Sequence, residues 1–270
     1  MERDKLAGFI VERFEQDRGR LAQAYRDSRA GIGHLILDDV FPEDVAFAIY
    51  RAFPKTDALT LKKSPREFKY VTAQMDRCDP LLEEAIYAFQ DPRVVRQIAE
   101  VADIDELFPD VNLYAGGISM MGCRQFLNPH IDNSHDRDRN RWRVFNLLYY
   151  ATPGWERDWG GNLELWPRGV SGEPITVHSR FNRLAVMATH QDSWHSVSPI
   201  VYDAYRCCVS NYYFSPAPLC ATDQFHVTTF RGRPGQIFRD WLLRVDGKLR
   251  AGVRAVFRSG IAPVTHIYRR

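Results

Sequence analysis

The chain has no apolar run long enough to cross a bilayer: its longest hydrophobic stretches are of strand length and are broken by polar residues, against the roughly 20 residues that a membrane helix needs. Net charge is nearly absent. At +2 with 26% charged residues, composition makes no case for nucleic acid or an anionic membrane as partner, and any basic surface must be local. Cysteine is sparse: Cys78, Cys123, Cys207, Cys208 and Cys220 form no CxxC, are odd in number, and put Cys207 and Cys208 on opposite faces of any strand that holds them both. Reduced thiols are expected. The N-terminal "MERDKLAGFIVERFEQDR" is charged from Glu2 and lacks the apolar stretch and small-residue cleavage site of a secretory leader, so a cytoplasmic location is expected. Repeats, linkers and low-complexity tracts are also missing, while 45% hydrophobic content over 270 residues is ample for a core. A single catalytic domain over 1–270 is expected, with 1–109 as helical support, 110–216 as a β core and 217–270 as an extension with a helix.

Leu6, Ile10, Phe14, Leu21 and Tyr25 recur near the helical period and predict an amphipathic helix from Asp4 to Arg29. "GHLILDDVF" reads as a short strand, and Pro42, Glu43 and Asp44 open a helix that ends before Pro54. Residues 55–79, with Lys55, Lys62, Lys63, Arg66 and Lys69, have no clear period and read as a solvated loop or edge near the mouth of a site. Two helical segments separated by Pro92 follow.

After Asp110 the texture changes to short β-branched and aromatic runs punctuated by Gly, Pro, Asn and Asp. "VNLYAGGISMM", "RQFLNPHID", "RVFNLLYYA", "GNLELWP", "PITVHS", "RLAVMAT", "SWHSVSPI" and "RCCVSNYYF" make about eight strands, the pattern of a double-sheet jelly roll. "TPGWERDWGGN" is a turn-rich hairpin loop whose Gly160 and Gly161 can take positive φ. Near the end, Ile237, Trp241, Val245, Leu249, Val253 and Phe257 stand at a four-residue step, opposite Arg239, Arg244, Lys248, Arg250 and Arg254. Such a helix could pack on the barrel, form a homodimer surface or meet an acidic partner; packing on the barrel is the expectation.

His130 and Asp132 stand two apart on a predicted strand and therefore project to one face, and His195 lies near a strand of the opposite sheet. Two imidazoles and one carboxylate cover one face of an octahedral ion and leave three positions open, a donor set that suits Fe(II). Arg206, further on, can form a bidentate pair with a carboxylate whose far end sits on the metal, which makes a dicarboxylate co-substrate plausible. His34, His135, His178, His190 and His226 lack a partner at ligand spacing and read as structural or exposed.

"HIDNSHDRDRNRWRVFNLLYYATPGWERDWGGNLELWP" followed by "WHSVSPIVYDAYRCCVSNYYF" resembles the catalytic core of the 2-oxoglutarate- and Fe(II)-dependent dioxygenases, within them the prolyl-hydroxylase-like group. The shared pattern is HxD, "LLYY", an aromatic "GW", "GGxLxLWP", HxVxP and a later arginine leading to "YYF", over about 85 residues. "LDDVFPEDVAFAIYRAF" resembles the strand and helix before that core.

The resemblance implies a double-stranded β-helix core in which His130, Asp132 and His195 hold Fe(II), Arg206 pairs with the far carboxylate of 2-oxoglutarate, Tyr150 donates to that carboxylate and Asn146 lines the same pocket. Trp155, Trp159 and Trp194 are candidates to flank the substrate. The implied activity is hydroxylation of an unactivated C–H, on a prolyl or other protein side chain or on a small metabolite, using O2 and releasing succinate and CO2. Asp132 argues against halogenation, which gives up that ligand. Tyr212, six residues after Arg206, stands where a nucleic-acid demethylase carries a second arginine, so no nucleic acid is expected as substrate. A jelly-roll or cupin-like binding module without turnover is the alternative. Two departures stand out: the strand before HxD lacks the family's frequent tyrosine, leaving Met121, Cys123 or Gln125 in its place, and the spacing from His195 to Arg206 is longer than common, to be absorbed by a small bulge.

Overall fold

The computed structural model describes residues 1–256 together with Ile267 and Tyr268. Helix α1 (Arg3–Ser28) buries Leu6, Ile10, Phe14, Leu21 and Tyr25 along one stripe, as its period dictates. Strand β1 (His34–Asp38) and helix α2 (Glu43–Arg51) follow, with Pro42 at the N-cap and two acids in the first turn, where the helix dipole favours them. Helices α3 (Pro80–Ala88) and α4 (Pro92–Ala102) each begin with proline. The Asp79 and Asp91 carboxylates accept from the backbone N–H of Leu81 and Arg93, so each segment starts where a capping acid precedes a proline. Helix α1 packs on α3, α4 and β1 to form one layer.

Beneath that layer lies a curled antiparallel sheet of jelly-roll type. Its strands are β2 (Thr60–Lys63), β3 (Glu67–Thr72), β4 (Phe108–Pro109), β5 (Gly117–Met121), β6 (Phe126–Ile131), β7 (Trp142–Tyr150), β8 (Leu163–Leu165), β9 (Ile175–Val177), β10 (Arg183–Ala188), β11 (His195–Val197), β12 (Arg206–Ser215) and β13 (Thr229–Phe230), in addition to β1. The order is β1-β10-β7-β12-β5-β3-β6-β11-β8-β9, with β13 on β6, β2 on β3 and β4 on β12.

Strands β7 and β12 are covered on both faces, which is why their sequences read as nearly continuous apolar runs. Phe145, Leu147 and Tyr149 of β7 and Cys207, Val209 and Tyr213 of β12 join the core under the helices. Asn146 and Leu148, with Arg206, Cys208, Ser210 and Tyr212, face the interior of the curl. Cys207 and Cys208 thus sit on opposite faces, both as free thiols.

Three expectations are corrected. Residues 60–72 are a β2–β3 hairpin built into the sheet, β3 pairing with both β5 and β6. The extra residues between His195 and Arg206 form a loop from Ser198 to Tyr205 that contains no strand; the ladder irregularity in this interval sits at its start, at His195/Val197, not next to Arg206, and a second falls at Tyr213/Phe214. Helix α5 (Ile237–Val256) meets β13 and buries Leu243, while Ile237, Trp241, Val245 and Leu249 of its four-residue stripe are exposed. Phe257 lies outside the described residues, as does the side chain of Arg254.

The joint between β1 and β10 carries a paired acid. The Arg183 guanidinium donates to both Asp38 oxygens, at 2.5 and 2.8 Å. Burial alone would raise the Asp38 carboxyl, but the Arg183 bonds and charge overcome it and hold it below its ordinary value. Because the folded value is depressed, the stabilisation is full above the unfolded-chain value and is lost as pH falls through the folded one. Urea unfolding across the acid range should therefore show a shallower loss of stability in Asp38→Asn than in the native chain; identical acid slopes would remove Asp38 from this linkage.

Candidate active site

His130 and His195 are register partners across the antiparallel pair β6–β11, so their rings emerge on the same face, centroids 4.1 Å apart. Asp132 follows the end of β6 and brings one oxygen to 3.7 Å from His130 Nε2 and the other to 3.7 Å from His195 Nε2. The three donors lie within 4.8 Å of one another. Each imidazole turns its other nitrogen to a backbone carbonyl two residues back: His130 Nδ1 to Asn128 O at 3.0 Å and His195 Nδ1 to Ser193 O at 2.9 Å. That orientation fixes Nδ1–H as donor and leaves both Nε2 lone pairs aimed at Asp132, as metal-ligating histidines require. Burial, reinforced by His195, pushes His130 down to about 3, so the ring is neutral and its lone pair is free at physiological pH. For Asp132 burial acts upward, but His195, Arg143 and His130 outweigh it and keep the carboxyl below its usual range, as an anionic ligand.

Arg206 opens β12 opposite Met121 and is almost fully buried. Its Nη1 donates to Gly161 O at 2.9 Å and its Nη2 lies 3.3 Å from Met121 Sδ, while Nε has no partner among the described residues. Met121 therefore occupies the floor; Cys123 is exposed and Gln125 accepts from Gly122 N. Gly161, at φ 69°, belongs to this arrangement, because a Cβ there would come 3.2 Å from the Arg206 Cδ. The Tyr150 ring lies 5.4 Å from the guanidinium carbon, and its buried hydroxyl has no well-formed hydrogen bond among the described residues, only a loose one with Ser179. Asn146 lines the same cavity, donating from Nδ2 to Tyr212 Oη at 3.2 Å with its Oδ1 unsatisfied.

Buried polar atoms left unpaired are costly. Among the described residues, Asp132 Oδ2, Arg206 Nε and Asn146 Oδ1 all face this condition around one cavity of about 390 Å³. The donor set fits Fe(II), and the guanidinium with its tyrosine fits a carboxylate held beside it.

The structure also brings to the cavity residues that the sequence did not assign to it. Arg143, at the start of β7, is buried with Nη1 3.8 Å from Asp132 Oδ1, its guanidinium carbon 4.3 Å from the centroid of the Tyr212 ring, and Nε and Nη2 unpaired. Lys62, Arg66, Glu67 and Lys69 of the β2–β3 hairpin, and Arg250 of α5, line the cavity too. Burial pulls the Lys62 ammonium below its ordinary value. The three candidate tryptophans are elsewhere. Trp155 is buried and donates to Gly160 O, Trp159 stacks on Tyr202 at 3.7 Å, and Trp194 faces Arg231; none lines the cavity.

Residues 116–214 match the model of the 2OG-Fe(II) oxygenase superfamily. No curated protein matches the chain by sequence. Among solved structures, a Pseudomonas putida prolyl-4-hydroxylase is similar with a TM-score of 0.53 and 16% identity, over 73% of this chain and 100% of that one. A Trichoplax adhaerens prolyl hydroxylase, solved in complex with a hypoxia inducible factor peptide fragment, gives 0.54 and 19% over 74% and 91%. The non-heme alpha ketoglutarate dependent carbocyclase SnoK from nogalamycin biosynthesis gives 0.54 and 14% over 80% and 89%. The matched segment spans the strands that carry His130, His195 and Arg206, the fold around it is similar to that of prolyl hydroxylases, and the side chains it brings together fit the cofactors of that superfamily, Fe(II) and 2-oxoglutarate.

Proposed function

We propose that the protein hydroxylates a C–H bond of an anionic substrate, with 2-oxoglutarate as co-substrate. The observation that carries the reading is the convergence of two Nε2 lone pairs and one carboxylate on a common point, beside a buried guanidinium with an unsatisfied nitrogen. Iron, 2-oxoglutarate and O2 together supply the oxidant for C–H hydroxylation, with succinate and CO2 as the other products. The chain's own residues position. Arg206 and Tyr150 hold the far carboxylate of the co-substrate, Asn146 offers a further polar contact, and the Asn128 and Ser193 carbonyls keep the two ligand rings turned inward.

The substrate class follows from the charge around the cavity. Lys62, Lys69, Arg66, Arg143, Arg206 and Arg250 line it, against Glu67 and Asp132, with Asp246 pairing Arg66 and Arg250 from behind. Two positive charges on iron and two negative charges on the co-substrate cancel, so a cationic excess remains for whatever enters. Arg143, beside Asp132 and with two free nitrogens, is placed to take a carboxylate or carbonyl of the substrate next to the reacting position. An acidic peptide and a carboxylated small molecule both satisfy this chemistry; the Trichoplax adhaerens relative is complexed with a peptide, and SnoK belongs to a biosynthesis. Nothing in the site favours a binding module without turnover, because its unsatisfied groups are those that an iron, a dianion and a substrate would satisfy.

The test is succinate release from the iron-loaded protein with 2-oxoglutarate, across paired substrates that differ only in acidic against neutral or basic groups. Acidic members should stimulate turnover selectively and lose that advantage at high salt; equal stimulation by all members would sink the anionic class, and no succinate with any of them, or alone, would sink the oxygenase reading. Arg206→Ala should raise the KM for 2-oxoglutarate by an amount equivalent to roughly 2–5 kcal/mol, since it removes one partner of a buried charged pair. An unchanged KM would place the dianion elsewhere. His130→Ala should abolish tight iron binding, measured by metal content after desalting, and full retention would mean that His130 is not a ligand.

A further inference from the structure

A second convergence of metal-binding side chains lies away from the iron-binding triad. His190 sits on the connection from β10 to β11 that leads to His195, and Cys220 and Asp223 belong to the segment that leaves β12. One ligand atom from each lies within 4.8 Å of the other two, and all three residues are half-buried. No local rule of sequence spacing links His190 to this segment; the fold brings it there.

The surroundings hold these side chains in place. Gln191 N–H donates to Asp223 Oδ1 at 3.1 Å, leaving the other oxygen available, and Asp223 N–H donates to Cys220 O at 2.9 Å, which fixes the turn between them. Ser193 Oγ accepts from His190 N at 2.9 Å and donates to His190 O at 2.8 Å. Asp192 N–H donates to His190 Nδ1 at 3.2 Å, a long bond that a metal ion would have to displace, and the ring also faces the Gly31 carbonyl. Asp223 has no arginine or lysine partner among the described residues, and Cys220 is a free thiol. A cavity of about 480 Å³, lined by His190, Cys220 and Arg29, gives solvent and ions a way in.

We propose that His190, Cys220 and Asp223 form a second metal site, selective for zinc(II) or an ion of like softness, with Asp192 or water as fourth ligand. A thiolate, an imidazole and a carboxylate are a borderline-soft set, unsuited to calcium or magnesium. Tetrahedral coordination at ordinary zinc bond lengths needs donors roughly 3.3–3.5 Å apart, so the present spread closes with about 1 Å of side-chain adjustment. The site's role is a clamp. It joins the β10–β11 connection, which positions His195, to the segment that runs on into β13, where Phe230 stacks on His130 at 5.0 Å. The clamp does not depend on the oxygenase reading, since its ligands are separate from those of the triad.

Cobalt(II) titration of the chelator-stripped full chain tests it. Two equivalents should bind, one with a thiolate-to-cobalt band in the near ultraviolet. That band should persist in His130→Ala and vanish in Cys220→Ser, while Cys220→Ser still binds the other equivalent, which shows that it has folded. Asp223→Asn should weaken the thiolate-linked site by about tenfold or more. As an independent readout, zinc(II) should slow alkylation of Cys220, mapped by mass spectrometry, and leave exposed Cys123 unaffected. A single equivalent without the thiolate band, a band that survives Cys220→Ser, or equal alkylation of Cys220 with and without zinc(II) would overturn the proposal.

Discussion

The pairing of His130 with His195 across β6 and β11 is the constraint on which the rest depends. In an antiparallel ladder, register partners share a face, so a single correct alignment places two imidazoles ring to ring, and a slip of either strand by one residue would turn its histidine to the other face. Leu165 on β8 pairs with His195 from the other side, and Phe230 on β13 pairs with His130. The metal-binding face is thus pinned by four strands. Asp132 needs no ladder of its own, because the chain has only just left β6 when it turns in.

The second constraint is that β12 serves two masters. Its odd-numbered residues Cys207, Val209 and Tyr213 build the core beneath the helices, and its even-numbered ones, from Arg206 to Tyr212, build the cavity. The Tyr213 hydroxyl donates to Phe89 O at the end of α3, which ties the helical layer to the strand that carries Arg206. The N-terminal helices therefore do more than shield the sheet; they fix the height at which the guanidinium stands.

Much of this was legible in the sequence. The helices through α4 and all eight core strands follow from periodicity and punctuation, and His130, Asp132, His195, Arg206 and Asn146 line one cavity, with the Tyr150 ring beside Arg206. The failures have physical causes. The β2–β3 hairpin was hidden because Lys62, Glu67 and Lys69 face a polar cavity, so the strands lack the apolar alternation that marks a buried face. Trp194 precedes an inward His195 in an extended segment, and alternation alone argues that it points away. Arg143 has the parity of an outward residue relative to Asn146 and Tyr150; the irregularity at Tyr213/Phe214 turns it inward, and no local signal announces it. The stripe on α5 was read correctly as apolar, but a hydrophobic period does not say which side the barrel takes.

Met121 pairs with Arg206 across β5 and β12 and brings its sulfur to the guanidinium. The Arg206 cation therefore rests on one firm acceptor, the Gly161 carbonyl, and one soft sulfur, which accepts only weakly. Such a seat orients the cation without quenching it. In the role proposed for Arg206, an arriving dianion would displace a feeble rival in place of a strong one, so the thioether would let the resting pocket stay receptive while still holding that side chain in line.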